Sequence, residues 1–190
     1  MKKLCDFMLS KKGTAVLIVS AALTAAICLV MNLFLIPAIE REAGGLACFD
    51  MRFGYGEAYA QGFLYELTPA GRALYLTRQL PLDFFYPLAY LICFCGLILK
   101  LRRRADALLL LPALLALTDY AENLCILAML RADELPTGLA VFSGVCTSVK
   151  TVLMYLVFAV LAALAIGWAV RRKKEKARAA ASGKDRKSVV

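Results

Sequence analysis

Histidine is absent from all 190 residues. Histidine-box di-iron centres, His-ligated haem, Ser-His hydrolases and His-dependent phosphatases or acyltransferases are thereby excluded, because each needs an imidazole. Phosphate-cradling P-loops, dinucleotide fingerprints and nucleophile elbows are missing as well. No metal-ligand spacing is present, so neither a metal nor a cofactor is expected. The seven cysteines, Cys5, Cys28, Cys48, Cys93, Cys95, Cys125 and Cys146, include no CxxC pair. Most of them lie in apolar runs, where cysteine behaves as a small hydrophobe. Any chemistry is left to Asp, Glu, Lys, Tyr, Ser, Thr or Cys.

Polar residues are also scarce: 62% of the chain is hydrophobic, against about 45–50% in a soluble domain. Four apolar runs, roughly 14–38, 83–101, 105–130 and 139–170, each approach or exceed the roughly 20 residues needed to cross a hydrocarbon core as a helix. Backbone groups in lipid need internal partners, which favours helices, and the period-2 alternation of a membrane barrel is absent. The expected fold is all-α, a four-helix transmembrane bundle formed by residues 1–170. The first run is longer than a signal-peptide core and lacks a clean small-x-small cleavage site, so it reads as a retained span.

Basic residues set the expected orientation. Of the 23 Lys and Arg residues, 17 lie in the N-terminal tail (Lys2, Lys3, Lys11, Lys12), around the link after the second run (Lys100, Arg102, Arg103, Arg104), or from Arg171 onward. By the positive-inside rule both termini and the 101–105 link are cytoplasmic. Segment 39–82 and loop 131–138 are then extracytoplasmic, in a multi-pass protein of the cell (inner) membrane. The tail 171–190 reads as disordered and suited to anionic lipid headgroups. Its lack of aromatics argues against nucleic acid as a partner.

Segment 39–82 is too long for a simple connection. Gly44, Gly45, Gly54 and Gly56 break its first half into loop, and 57–67 reads as a short amphipathic helix. Thr68 and Pro69 are the expected N-cap and first position of a further helix running to about Leu80. The aromatic content suits a lid at the membrane interface. Pro81 and Pro87 bracket the expected outer end of the second span, with a kink at Pro87.

The informative polar residues lie within the spans, where ionisable groups are costly and usually face a partner or a cavity. With a helical rise of 1.5 Å per residue, Asp83, Asp119, Glu122, Lys150 and Asn32 all fall about 21–30 Å from the inner ends of their spans, in one outer layer. Asp119, Glu122 and Asn123 share a helical face, as do Ser143, Thr147, Lys150 and Thr151, and as do Asp83, Tyr86 and Tyr90. Three polar stripes that avoid lipid should converge inside the bundle. Three carboxyls face one lysine, so a carboxyl is protonated, Arg72 or Arg78 reaches in, or a cationic group binds.

The strings GRALYLTRQLPLDFFYPLAY and DYAEN, which contain Arg72, Tyr75, Asp83, Pro87, Tyr90, Asp119, Glu122 and Asn123, resemble small uncharacterised four-span membrane proteins of bacteria. That resemblance covers roughly 50–130 and implies topology without an activity. Acidic residues inside four-span sterol-isomerase-like proteins are an analogy of architecture only.

The leading expectation is a protein that binds a small amphipathic or lipid-like molecule in an outward-facing polar pocket, with acid/base conversion as an extension. Asp119 and Glu122 are the candidate catalytic or anchoring groups. Lys150 is their counter-ion or grips an anionic headgroup, and it joins Asn32, Asp83, Tyr86, Tyr90, Asn123 and Thr147 as a candidate ligand contact. One alternative is a structural subunit of a membrane complex, using a small-residue stripe at Gly144 and Ser148. A proton-coupled carrier is the third.

Overall fold

The computed structural model describes residues 2–187, and every regular element among them is helical. After a short helix α1 (Lys2–Leu9) come α2 (Lys11–Glu42), α3 (Glu57–Glu66), α4 (Pro69–Arg102), α5 (Ala107–Arg131) and α6 (Leu139–Lys187). Four of these, α2, α4, α5 and α6, are long and apolar enough to cross a membrane.

The centre of the bundle is α4, which packs against α2, α5 and α6, while α5 and α6 form the most extensive helix pair. Contacts of α2 are made chiefly with α4 and with its own neighbours in sequence. Most of the α2 and α6 surface is therefore apolar and exposed, as at Ile18, Val19, Leu33, Phe34, Tyr155 and Ile166. Helix α1 was not anticipated from composition. Ser10 ends it and caps α2 by accepting from Gly13 N at 3.1 Å, and Cys5 and Met8 pack with Leu17, Tyr90, Cys93 and Phe94. A single glycine permits the approach to α4: a Cβ on Gly96 would lie 2.7 Å from Met8 Cε.

The second span begins earlier than the apolar run. Pro69–Arg102 is one helix of 34 residues, so Pro81 lies inside it and does not mark its end. Thr68 caps it as expected, accepting from Gly71 N at 3.1 Å. The irregularity expected at Pro87 is displaced, because α-helix continues through that residue. Instead, π turns at Tyr75–Gln79 and Met31–Leu35 each end one residue short of a proline, Pro81 and Pro37. A proline ring clashes with the carbonyl four residues back. One wider turn relieves that clash while keeping the helix continuous. The two π turns also meet one another across the α2–α4 contact.

The connection between α2 and α4 is thus shorter than the expected 39–82 segment, and it is well packed. Phe49 packs tilted against Phe63 at 4.5 Å and Tyr55 at 5.1 Å, and Phe63 meets Tyr75 of α4 edge-on at 6.4 Å. Cys48, Phe49, Ala60 and Phe63 are fully buried. Positive φ at Gly44 (64°), Gly45 (85°) and Gly54 (65°) supplies the reversals that fold this lid back on itself. Its tip crosses α6 at Gly144 and Ser148, so the small-residue stripe expected to serve a partner is covered by the chain's own residues 54 and 55. At the other end of the chain, α6 runs on through the tail to Lys187. Its Ala, Lys, Arg and Glu content is that of a good helix former. Residues 188–190 of that tail lie outside the described residues.

A Cβ on Gly144 would sit 2.1 Å from the backbone oxygen of Tyr55. Gly144→Ala must push the lid away and should cost about 1–3 kcal/mol, read as a lower melting temperature in detergent. Gly62→Ala on α3, where nothing lies within 4 Å, should melt no lower than the parent. Equal melting of both variants and the parent would refute the lid's seating on α6.

Candidate functional site

Lys150 on α6 reaches between two carboxyls of α5. Its Nζ lies 3.3 Å from Asp119 Oδ1 and also pairs with Glu122 Oε2. Side-chain exposure is 14% for Lys150, 2% for Asp119 and 0% for Glu122. Each carboxyl has a second donor. Tyr90 on α4 donates to Asp119 Oδ2 at 2.9 Å, and Thr147 on α6 donates to Glu122 Oε1 at 2.6 Å. The spacing i, i+3 on α5 and i, i+3 on α6 aims these groups at a common seam, so three helices are tied by one ionic knot. Charge-assisted bonds of this kind are short and strong.

A second group lies alongside and is not balanced in this way. Asn123 donates to the backbone carbonyl of Asp83 at 2.9 Å. Gln79, one turn before Asp83 on α4, donates to Asp50 Oδ2 of the lid at 3.4 Å, and Tyr75 donates to Asp50 Oδ1 at 3.0 Å. Three buried oxygens here, Gln79 Oε1, Asp83 Oδ2 and Asn123 Oδ1, accept no hydrogen bond from any described residue. Buried polar atoms are normally satisfied, so three neighbouring acceptors without donors call for an explanation.

The lid is coupled to both groups. Besides the Asp50 contacts, Tyr55 donates to Ser143 Oγ at 2.7 Å, and Ser143 lies one turn from Thr147 on α6. Burial raises the Tyr55 phenol, the Ser143 bond opposes that, and the Glu122 and Asp50 charges add to it. Burial likewise pushes the Cys48 thiol well up, with Asp50 and Glu40 acting in the same direction. Cys48 is therefore a neutral packing group and not a reactive thiolate.

Of the residues singled out from sequence, Asp119, Glu122, Lys150, Thr147 and Tyr90 come together directly, and Asp83 and Asn123 form the adjoining group. Tyr86 is half-buried, with its ring edge-on to Tyr90 at 5.1 Å. Asn32 does not join them. It is exposed, and its amide donates to the carbonyl of Cys28 on its own helix at 2.9 Å. A polar side chain satisfied by its own backbone can face outward, so depth alone did not determine its direction. Neither arginine reaches in: Arg72 donates to the Leu130 carbonyl at the end of α5 at 2.7 Å, and Arg78 is exposed. Sequence reasoning missed Gln79 and Tyr75, which continue the Asp83 stripe back through Pro81 at spacings of four. It also missed Asp50, for which the sequence carries no periodic signal.

Comparison with known protein families, with curated proteins and with solved structures finds no match.

Removing one member of a buried ion pair strands the other charge, at about 3–5 kcal/mol. Lys150→Met should therefore lower the melting temperature sharply. Adding Asp119→Asn and Glu122→Gln to it should recover most of the loss, because no charge is then left unpaired. Additive losses in the triple variant would contradict the pairing.

Proposed function

We propose that this is an integral membrane protein that binds a small amphipathic molecule in the polar layer beneath the lid, through a head that donates hydrogen bonds or carries positive charge. The observation that carries this reading is the set of unpartnered acceptors Gln79 Oε1, Asp83 Oδ2 and Asn123 Oδ1. A donor-bearing head fits them, and an apolar tail fits a bundle whose outer faces are hydrocarbon-like. The concentration of basic residues at one end of the four long helices supports cytoplasmic termini, an extracytoplasmic lid and the cell membrane as the location.

The geometry favours binding over acid/base conversion. Asp119 and Glu122 are both occupied as counter-ions of Lys150, which suits anchoring better than proton exchange. Thr147 and Tyr90 hold those counter-ions in place, and Tyr86 flanks them. Asp83, Gln79 and Asn123 contact the ligand head in this reading, and Asp50 closes over it from the lid. A purely structural subunit loses its expected docking stripe, since residues 54 and 55 of the lid occupy Gly144 and Ser148.

Native mass spectrometry with metabolite and lipid extraction tests this on wild type, Asp83→Asn and Gln79→Leu. The expected result is a bound cationic or donor-rich amphiphile in wild type whose occupancy falls at least tenfold in variants that melt normally. Absence of any retained molecule, together with variants that melt higher than wild type, would make the acceptors a defect of packing and defeat the proposal.

A further inference from the structure

We propose a second, separate site: a phosphate-bearing anion binds in the cleft between the end of α4 and the last part of α6. A cavity of about 470 Å³ there is lined by Leu101, Arg102, Arg103, Trp168, Arg171, Arg172 and Glu175. This volume lies within the roughly 300–1,000 Å³ range of small-molecule sites.

Four guanidinium groups from two segments about 70 residues apart in sequence converge on this cleft, and the local carboxylates do not balance them. Asp106 pairs with one of them, Arg102, at 2.6 Å and with Arg104 at 3.0 Å, which leaves Arg103, Arg171 and Arg172 in excess. Although partial desolvation opposes it, the Leu108 N–H bond and these two arginines hold the Asp106 carboxyl below its ordinary range, so its charge is already committed. Arg171 is positioned by backbone carbonyls, donating to Gly167 at 3.2 Å and Leu101 at 3.5 Å, and these contacts leave its charge uncompensated. Arg172 lies 5.1 Å from the Trp168 ring centre. Arg103 ends α4 in the left-handed conformation, with φ of 58°, which turns the chain there and leaves its side chain exposed. Among the described residues, Glu175 is the one carboxylate lining the cleft.

Guanidinium forks match phosphate oxygens in pairs. Leu164, one turn before Trp168 on the same face of α6, lines an adjoining groove with Arg102, Arg104 and Arg171, where an acyl chain can lie. An anionic lipid headgroup and a free phosphate share the chemistry recognised here. The lipid source rests on the membrane reading above, whereas anion binding does not.

Trp168 is the chain's single tryptophan, so its emission reports on this cleft alone. The full-length protein in neutral detergent is titrated with short-chain phosphatidylglycerol, short-chain phosphatidylcholine and inorganic phosphate. Saturable change with phosphatidylglycerol, at least tenfold weaker in Arg103→Gln and Arg172→Gln variants of unchanged melting temperature, is the expected result. Inorganic phosphate reaching the same end point at similar concentration would support the site and assign its source to a soluble anion. A response to phosphatidylcholine as strong as to phosphatidylglycerol, or arginine variants that titrate like the parent, would overturn it.

Discussion

The polar layer inside the bundle is arranged around one ammonium group. Lys150 is the only cation brought into the polar layer among the described residues, and it holds Asp119 and Glu122 of the neighbouring helix. Isolated charges are very costly away from water, so these three side chains must stay together. That requirement fixes the rotation of α5 against α6 to within a side chain's reach. Tyr90 then draws α4 into the same arrangement through Asp119. Apolar packing alone specifies helix register weakly in a lipid-like setting, because hydrocarbon competes equally for every face. The ionic knot supplies the discrimination, and Leu115, Ala116, Tyr90 and Val157 pack around it.

The lid follows from the same constraint. Its seating depends on glycine at 144, where any side chain would strike the Tyr55 backbone, and Gly144 faces the lid because Ser143, Thr147 and Lys150 are turned inward beside it. The prolines serve this geometry too. A π turn before Pro81 rotates the start of α4 relative to its remainder, and Tyr75, Gln79 and Asp83 thereby stay on the buried side. Asp50 can then reach both Tyr75 and Gln79.

Much of this was legible in the sequence for specific reasons. Four long apolar runs announce four long helices, and Asp119, Glu122 and Lys150 announce each other because helical spacing and cost leave few alternatives. Thr68-Pro69 marked a helix start through side-chain capping chemistry. Other features depended on tertiary context. Asn32 looks like an inward polar residue until its i−4 carbonyl is seen to satisfy it. The continuity of α4 was hidden because the helix from Pro69 to about Leu80 and the second span read as separate elements divided at Pro81, yet Pro81 follows a π turn within one helix, and Arg72 bonds the Leu130 carbonyl at the end of α5. Asp50 enters the site through a loop fold set by three positive-φ glycines, which no periodicity encodes. Helix α1 is too short to announce itself, and its place depends on the gap over Gly96.

Charge counting connects the two ends of the molecule. Around the polar layer Asp50, Asp83, Asp119 and Glu122 face Lys150 alone, whereas the opposite end gathers Arg102, Arg103, Arg171 and Arg172 around a cleft with one lining carboxylate among the described residues. Neither excess is cancelled by the other, because they are separated by most of the length of α4. An excess of acceptors in a dry interior has to be met by a positive group, whether a proton or a cationic head. An excess of guanidinium at a helix-bundle rim is met most economically by phosphate oxygens. As proposed, the two sites differ in the charge they select, so a ligand chosen to probe one is a poor probe of the other.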